Sequence, residues 1–310
     1  MGETMVQMNP LQTGPLRTVT LFEKHAAGAE SNVAIGFRRM GHTSGWMSRV
    51  GDDEFGKYIL MNLRSEGVDV SKVKVDKEAP TGVFFVQRFY PVPENSTVFY
   101  YRKSSAASRF GPEDVDPEYI AGAKIFHVTG ITPALSDSCR EATWRALRIA
   151  EEAGVKVSFD TNIRLKLWSA DRARETLLPM IKMVDYLFTD PGDAQILIGK
   201  SEPREICQAF TETGPSLVAV KLGAEGAAAM MGGKYVEKPG YDVPVEDKIG
   251  AGDAFTATVL VSLLDGKPLD KAVEAGNVAG ALVVTVRGDT EAIPSAEDIE
   301  TFLRHPTKMR

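Results

Sequence analysis

Toward its C-terminal end the chain reads Gly250-Ala251-Gly252-Asp253, directly ahead of an apolar run that reaches about Leu264. Two glycines around a small residue, followed by a carboxylate, suit the start of a helix. Unpaired N–H groups there, with the positive end of the helix dipole, bind phosphate, and glycine lets the anion come close to the backbone. A carboxylate in the first turn can serve only to stabilise that helix end. It can also accept the proton of a hydroxyl that attacks a phosphoryl group, a reaction needing chiefly positioning, charge stabilisation and a base. Phosphoryl transfer accounts for more of the motif, with Asp253 as base and Gly250, Ala251 and Gly252 as backbone donors. Two rival phosphate motifs do not fit: Phe255 stands where a dinucleotide fingerprint needs its third glycine, and no Gly-Lys-Ser/Thr completes a Walker A loop.

Such a motif needs a scaffold, and the chain supplies an alternating one. Short apolar runs at 125–128, 155–160, 186–189, 217–222 and 227–231 read as strands buried on both faces. Helical patterns over 138–153 and 171–184 fall between them, the signature of βαβ units and a mostly parallel sheet. One segment differs. Residues 82–88 and 97–102 read as two strands around the Pro91-to-Ser96 turn, a hairpin that projects from the core. With an extended stretch at 15–22 it could form a small sheet over a site; it could equally be a plain surface hairpin.

Composition narrows the functional classes. A formal charge of -6 argues against a nucleic-acid surface, which would carry a basic face. Two cysteines without metal-ligand spacing indicate neither a disulfide framework nor a zinc site, and point to a reducing cytoplasm. No signal peptide or membrane-spanning run is evident, so neither membrane nor nucleic-acid partners are expected.

Beyond Gly250–Asp253, preceded by Asp247-Lys248-Ile249, the chain carries Gly28-Ala-Glu-Ser-Asn-Val-Ala-Ile-Gly36, Arg49-Val-Gly-Asp-Asp-Glu-Phe-Gly56 and Lys221-Leu-Gly-Ala-Glu-Gly226. With these motifs it resembles the ribokinase-like (PfkB) carbohydrate kinases. Through Gly14-Pro-Leu-Arg17, Phe22-Glu-Lys-His25, Tyr100-Tyr-Arg-Lys103 and Asp160-Thr-Asn-Ile-Arg164 it is most similar to the archaeal-type 2-keto-3-deoxygluconate kinases. The resemblance implies an α/β fold: a ribokinase-like core, its mostly parallel sheet flanked by helices, and a small β-sheet lid. It implies one domain over 1–310, with lid strands at about 10–22 and 81–103. The implied reaction is ATP-dependent phosphorylation of the 6-hydroxyl of a keto-deoxy sugar acid in Entner-Doudoroff-type catabolism.

Carried over by position, the resemblance implies sugar contacts from Gly28, Tyr90, Tyr100, Arg102, Arg164 and Asp289. Nucleotide contacts are implied for Asn162, Asp190, Lys221, Gly223, Gly226 and Asn277. Mg²⁺ is assigned to Asp193, within an Asp190-Pro-Gly-Asp193 that replaces the family's Asn-x-x-Glu, and a monovalent cation is admitted. Pairing of subunits through the lid strands is also implied. The two arginines favour an anionic substrate, because a guanidinium holds a carboxylate in a bidentate geometry. A kinase for fructose, ribose or a nucleoside, or an inactive sugar-binding sensor, are the alternatives. Ile249 stands in place of a polar residue before the glycines, which leaves phosphate binding to backbone donors. The family opens with an apolar strand before Gly-Glu, whereas Gly2-Glu3 follows Met1, so either the start lies upstream or the sheet lacks that strand. Of the four histidines, only His25 lies in a matched motif and could approach the sugar.

Overall fold

The computed structural model describes residues 1–92 and 96–305. The N-terminal part contains β1 (Met5–Pro10), β2 (Phe22–Ala27), α1 (Ala29–Arg39), β3 (Ser48–Gly51), α2 (Glu54–Ser65), β4 (Val73–Asp76), β5 (Val83–Arg88) and β6 (Ser96–Tyr101). Then follow α3 (Pro117–Ala121), β7 (Ile125–Thr129), α4 (Thr132–Leu135), α5 (Asp137–Ala153), β8 (Lys156–Asp160), α6 (Ala170–Ile181), β9 (Tyr186–Thr189), α7 (Pro191–Ile198) and α8 (Pro203–Thr211). The last elements are β10 (Leu217–Lys221), β11 (Gly226–Met231), β12 (Lys234–Pro239), α9 (Ala251–Leu264), α10 (Leu269–Val283) and α11 (Ala296–Arg304).

The core sheet has six strands in the order β12-β11-β10-β9-β8-β7, with β7 to β10 parallel and β11 and β12 added antiparallel. Its alternating side chains feed two helical layers. On β10, Val218 and Val220 face the layer of α5, α6 and α8, whereas Leu217 and Ala219 face α9 and α10. Full burial of a large apolar side chain contributes about 1.5–3 kcal/mol, so strands covered on both sides anchor the sheet firmly. Helix α9 is apolar on nearly every side because it lies between the sheet and α10; Phe255, Val259 and Leu260 pack on Phe188 and Leu217.

The lid is a separate four-stranded sheet, β2-β1-β5-β6, in which only the β1–β5 pair is parallel. The expected hairpin is β5 with β6, although residues 93–95 of its turn lie outside the described residues. The expected strand at 15–22 is corrected. Residues 16–18 form a single 3-10 turn inside a connection, and the strands are β1 before it and β2 after it. Pairing of the two strands runs past Pro10 to Leu11 N, which donates to Leu21 O (3.0 Å), and Gly14 (φ +127°) turns the chain within the connection. Strand β1 escaped notice because its inward side chains include Gln7 and Asn9, both buried. At the other end of the core sheet, β7 is the terminal strand, and the Met1 amino group donates to His127 O (2.9 Å). Among the described residues, no helix is long and apolar enough to cross a membrane.

Candidate active site

The parallel strands β8, β9 and β10 end on the same side of the sheet, at Asp160, Thr189 and Lys221, which is where open α/β sheets bind ligands. The N-terminus of α9 arrives at this edge. Gly250 caps it with φ +82°, and a Cβ there would stand 2.3 Å from Asp289 Oδ1 and 2.5 Å from Asp289 O. No other residue type fits that position without strain. Asp253 N and Ala254 N donate to Gly250 O, while the N–H groups of Ala251 and Gly252 find no acceptor among the described residues. Two such donors at a helix start can bind an anion.

Asp253 stands in the first turn on the cleft floor, its Oδ2 accepting from Asn32 Nδ2 at 2.8 Å. Enclosure by protein and the Asp160 charge push its carboxyl up to about 7, against the opposing pull of Asn32, Lys221 and Arg164. A base poised near neutrality suits proton abstraction. Lys221 lies beneath it, with Nζ 2.5 Å from Asp160 Oδ2. Burial alone would lower the lysine, but Asp160 outweighs it and holds the amine above its ordinary value, so the cation persists. Asp289 is buried and raised well above the carboxylate range by burial and by Asp253; its Oδ1 has no hydrogen-bond partner among the described residues.

A cleft of about 1510 Å³ joins these groups to the inner face of the lid. Gly28, Tyr100, Arg102, Arg164 and Asp289 line it, as do Asn162, Asp190, Lys221, Gly223, Gly250, Gly252 and Asp253. Most of the residues expected from the sequence are therefore brought together. Gly28 is there for closeness, since a Cβ would meet Glu3 O at 2.5 Å.

Several expected residues are placed elsewhere. Tyr90 does not line the cleft and is 38% exposed at the end of β5. Gly226 opens β11 with φ +109°, where a Cβ would meet Lys238 O at 2.1 Å, so the position lets the start of β11 lie close against the end of β12, and it does not line the cleft. Asn277 spends Nδ2 on Lys238 O and Pro239 O, both at 3.0 Å, and does not line the cleft. Asp193, to which the sequence assigns Mg²⁺, does not line the cleft. It is buried behind Asp190, its Oδ2 accepting from Thr161 Oγ1 (2.6 Å) and Ile163 N (2.9 Å), and burial with the Asp190 charge pushes it up to about 6. His25 bonds Glu291 and does not line the cleft.

Arg102 lines the cleft without offering a free charge. Its Nε donates to Glu3 Oε2 (2.7 Å), Nη2 forms an ion pair with the same oxygen, and Glu3 Oε1 accepts from Ser105 Oγ (2.5 Å). Only Nη1 lies outside that pairing. Arg164, in contrast, makes no ion pair among the described residues, although its charge reaches Asp253. Glu3, Asn32 and Asp160 are site residues that sequence reasoning passed over as contacts. Asn32 and Asp160 sat inside quoted motifs, whereas nothing near Glu3 in the sequence indicates a partner about a hundred residues away.

A family model described as pfkB family carbohydrate kinase matches residues 1–296. The 2-dehydro-3-deoxygluconokinase of Thermoproteus tenax is 46% identical over 306 residues, covering 98% of this chain and 93% of that protein. A 2-dehydro-3-deoxygalactonokinase of Haloferax volcanii is 33% identical over 305 residues, with 98% and 95% covered. Among solved structures, a putative ribokinase II from E. coli in complex with ATP and Mg²⁺ superposes with a TM-score of 0.91 at 27% identity, covering 98% of this chain and 97% of that one.

Proposed function

Since the chain belongs to the pfkB family of carbohydrate kinases, we propose that it transfers the γ-phosphoryl group of ATP to the 6-hydroxyl of 2-keto-3-deoxygluconate, the 2-dehydro-3-deoxygluconate of its relatives' names. The carrying observation is Asp253, raised toward neutrality in the first turn of α9 beside two backbone donors, in a cleft that also holds Arg164, donors and arginine alike without a partner or ion pair among the described residues. Asp253 takes the hydroxyl proton as the oxygen attacks phosphorus; the bond to the ADP oxygen breaks and ADP leaves. The N–H groups of Ala251 and Gly252 and the Lys221 ammonium offset the charge that develops on the transferring group.

At the sugar end Arg164 takes the C1 carboxylate, with the Nη1 corner of Arg102, Tyr100, the Gly28 backbone and Asp289 around the ring or chain. The Glu3–Arg102 pair is a specific observation in favour of a neutral-sugar kinase, because it removes one of the two charges that an acid would meet. Arg164 opposes that reading. The galactonate epimer is included among substrates, because no charged group is assigned to C4 and one relative is named for it. Asn162, Asp190 and Gly223 lie toward the nucleotide. For Mg²⁺ the fitting donor is Asp190: it lines the cleft and caps α7 through Oδ1 alone, leaving Oδ2 for a metal-bound water, as this ion prefers few carboxylates. Mg²⁺ would neutralise phosphate charge there.

Copies of the chain pair through their lids, whose outer face carries Phe99 and Tyr101, 42% and 69% exposed. The cytoplasm is the compartment proposed, since both cysteines are free and buried. The deciding experiment is coupled ADP release with the gluconate and galactonate keto acids, fructose and ribose, run in sodium and in potassium to test the monovalent ion. Preference for a keto acid by at least about a hundred-fold in kcat/KM is expected. Equal rates with fructose or ribose would sink the sugar-acid reading, and no ATP consumption with any acceptor would leave the sensor.

A further inference from the structure

His25 and Glu291 take no part in the cleft, yet they join the lid to the turn that carries Asp289. Gly288 opens this turn with φ +121°. Glu291 Oε2 then accepts from Asp289 N (2.8 Å) and Thr290 N (3.1 Å), and Oε1 lies 2.5 Å from His25 Nδ1 on β2. On its far side the turn is held by Arg39 Nη1, which donates to Thr290 O (2.8 Å) and Ile293 O (2.7 Å) while Glu66 grips the same guanidinium. The turn is thus clamped between α1 and the lid, and the group it presents to the cleft is Asp289.

Its position matters for the phosphate end as well. Asp289 O and Oδ1 occupy the space beside Gly250 that no side chain can enter, so a shift of the turn would move against the cap of α9. A second lid strand approaches the same place: Asn9 of β1 donates to Asp247 Oδ2 (3.0 Å), and Asp247 Oδ1 accepts from Ile249 N (3.3 Å) just ahead of Gly250. Both chain segments that flank the anion site are therefore tied to the inner face of the lid.

We propose that Glu291, held by His25, is the positioning residue for Asp289: it fixes that carboxyl where the acceptor sugar meets the α9 N-terminus. Stability alone is an incomplete explanation for the pair, which is only partly buried, its His25 side chain 10% and its Glu291 side chain 37% exposed. Geometry is a better one, since a single carboxylate oxygen takes two successive N–H groups and thereby orients the residue whose side chain enters the site. Burial alone would lower His25, but Glu291 outweighs it and raises the imidazole, in keeping with a charged pair. The inference rests on the reading of the cleft as an acceptor-sugar site.

A double-mutant cycle tests it, run with whichever acceptor the wild type phosphorylates, so that failure of the sugar-acid reading is seen in wild type alone. Glu291→Ala is expected to raise the acceptor KM about tenfold while the ATP KM stays within about twofold. In an Asp289→Asn background the same change should cost less than about twofold in kcat/KM, because its effect passes through Asp289. Glu291→Gln, whose amide oxygen can still accept both N–H groups, should recover most of the loss, and it is the variant to use with His25→Phe if Glu291→Ala does not fold. Losses that multiply in the double mutant, or an ATP KM that rises as far as the acceptor KM, would overturn the assignment.

Discussion

The two ends of the cleft are built by different means. At the phosphate end the groups come from places where secondary structure itself presents them: Lys221 and Asp160 at strand ends, Gly250 to Asp253 at a helix start. At the sugar end they come from separate segments: Glu3 before β1, Arg102 after β6 and Arg164 in a loop, joined only by the docking of the lid. The phosphate end holds free donors and a carboxyl kept close to its protonated form. The sugar end has already balanced one of its arginines internally. Charge counted along a sequence therefore overstates the charge a substrate meets wherever a distant, buried carboxylate can reach the same site.

The largest effect is expected at the phosphate end. Asp253→Asn should lower kcat by on the order of a hundred-fold or more with ATP binding nearly unchanged, since it removes a positioned base and keeps the volume. In wild type, kcat/KM should rise with pH as Asp253 ionises, half-maximal near its value of about 7. Stability should move the opposite way. The folded-state value lies above the unfolded one, so between about pH 4 and 7 the folded chain keeps a proton that the unfolded chain has lost, and stability falls as pH rises through that window. Asp253→Asn should therefore melt higher than wild type at pH 8 and not at pH 3. A variant with more than about a third of wild-type kcat would remove Asp253 from the reaction and erase the contrast between the two ends.

An intermediate effect is expected where the two arginines are compared. Arg164→Ala should raise KM for the keto acid by about twenty-fold or more and leave a neutral sugar's KM within a few-fold, since it deletes the unpaired cation. Arg102→Ala should act chiefly on folding, by stranding Glu3 in a buried site at a cost of about 3–5 kcal/mol. Denaturant unfolding beside acceptor KM measurements separates the two. If Arg102→Ala instead changed acid discrimination without loss of stability, the Glu3 pairing would not govern recognition.

The smallest catalytic effect belongs to the outer face of the lid. Tyr101→Glu, at a lid side chain that is 69% exposed, should leave kcat within about twofold while shifting sedimentation from dimer to monomer. A wild type that sediments as a monomer at all concentrations would remove the pairing proposal.

Features encoded by local residue type could be read without the fold. Gly250 is required by a positive φ and a close neighbour, Asp253 follows it into the first helical turn, and the apolar runs of β7 to β10 admit little but buried parallel strands. In Asp190-Pro-Gly-Asp193, the resemblance puts Mg²⁺ on Asp193. The three-residue offset instead makes Asp190 the N-cap that receives Asp193 N, and turns Asp193 into the interior behind it. Tertiary contact alone decided what hydrophobic patterning could not show: that Gln7 and Asn9 lie on the buried face of a strand, that 11–21 is a connection, and that Glu3 neutralises Arg102. For Asn9, met by Asp247, and for Arg102, met by Glu3, the physical reason is the same. A polar side chain can be buried if a partner from elsewhere meets it, and the partner's identity is a property of three-dimensional docking, not of neighbours along the chain.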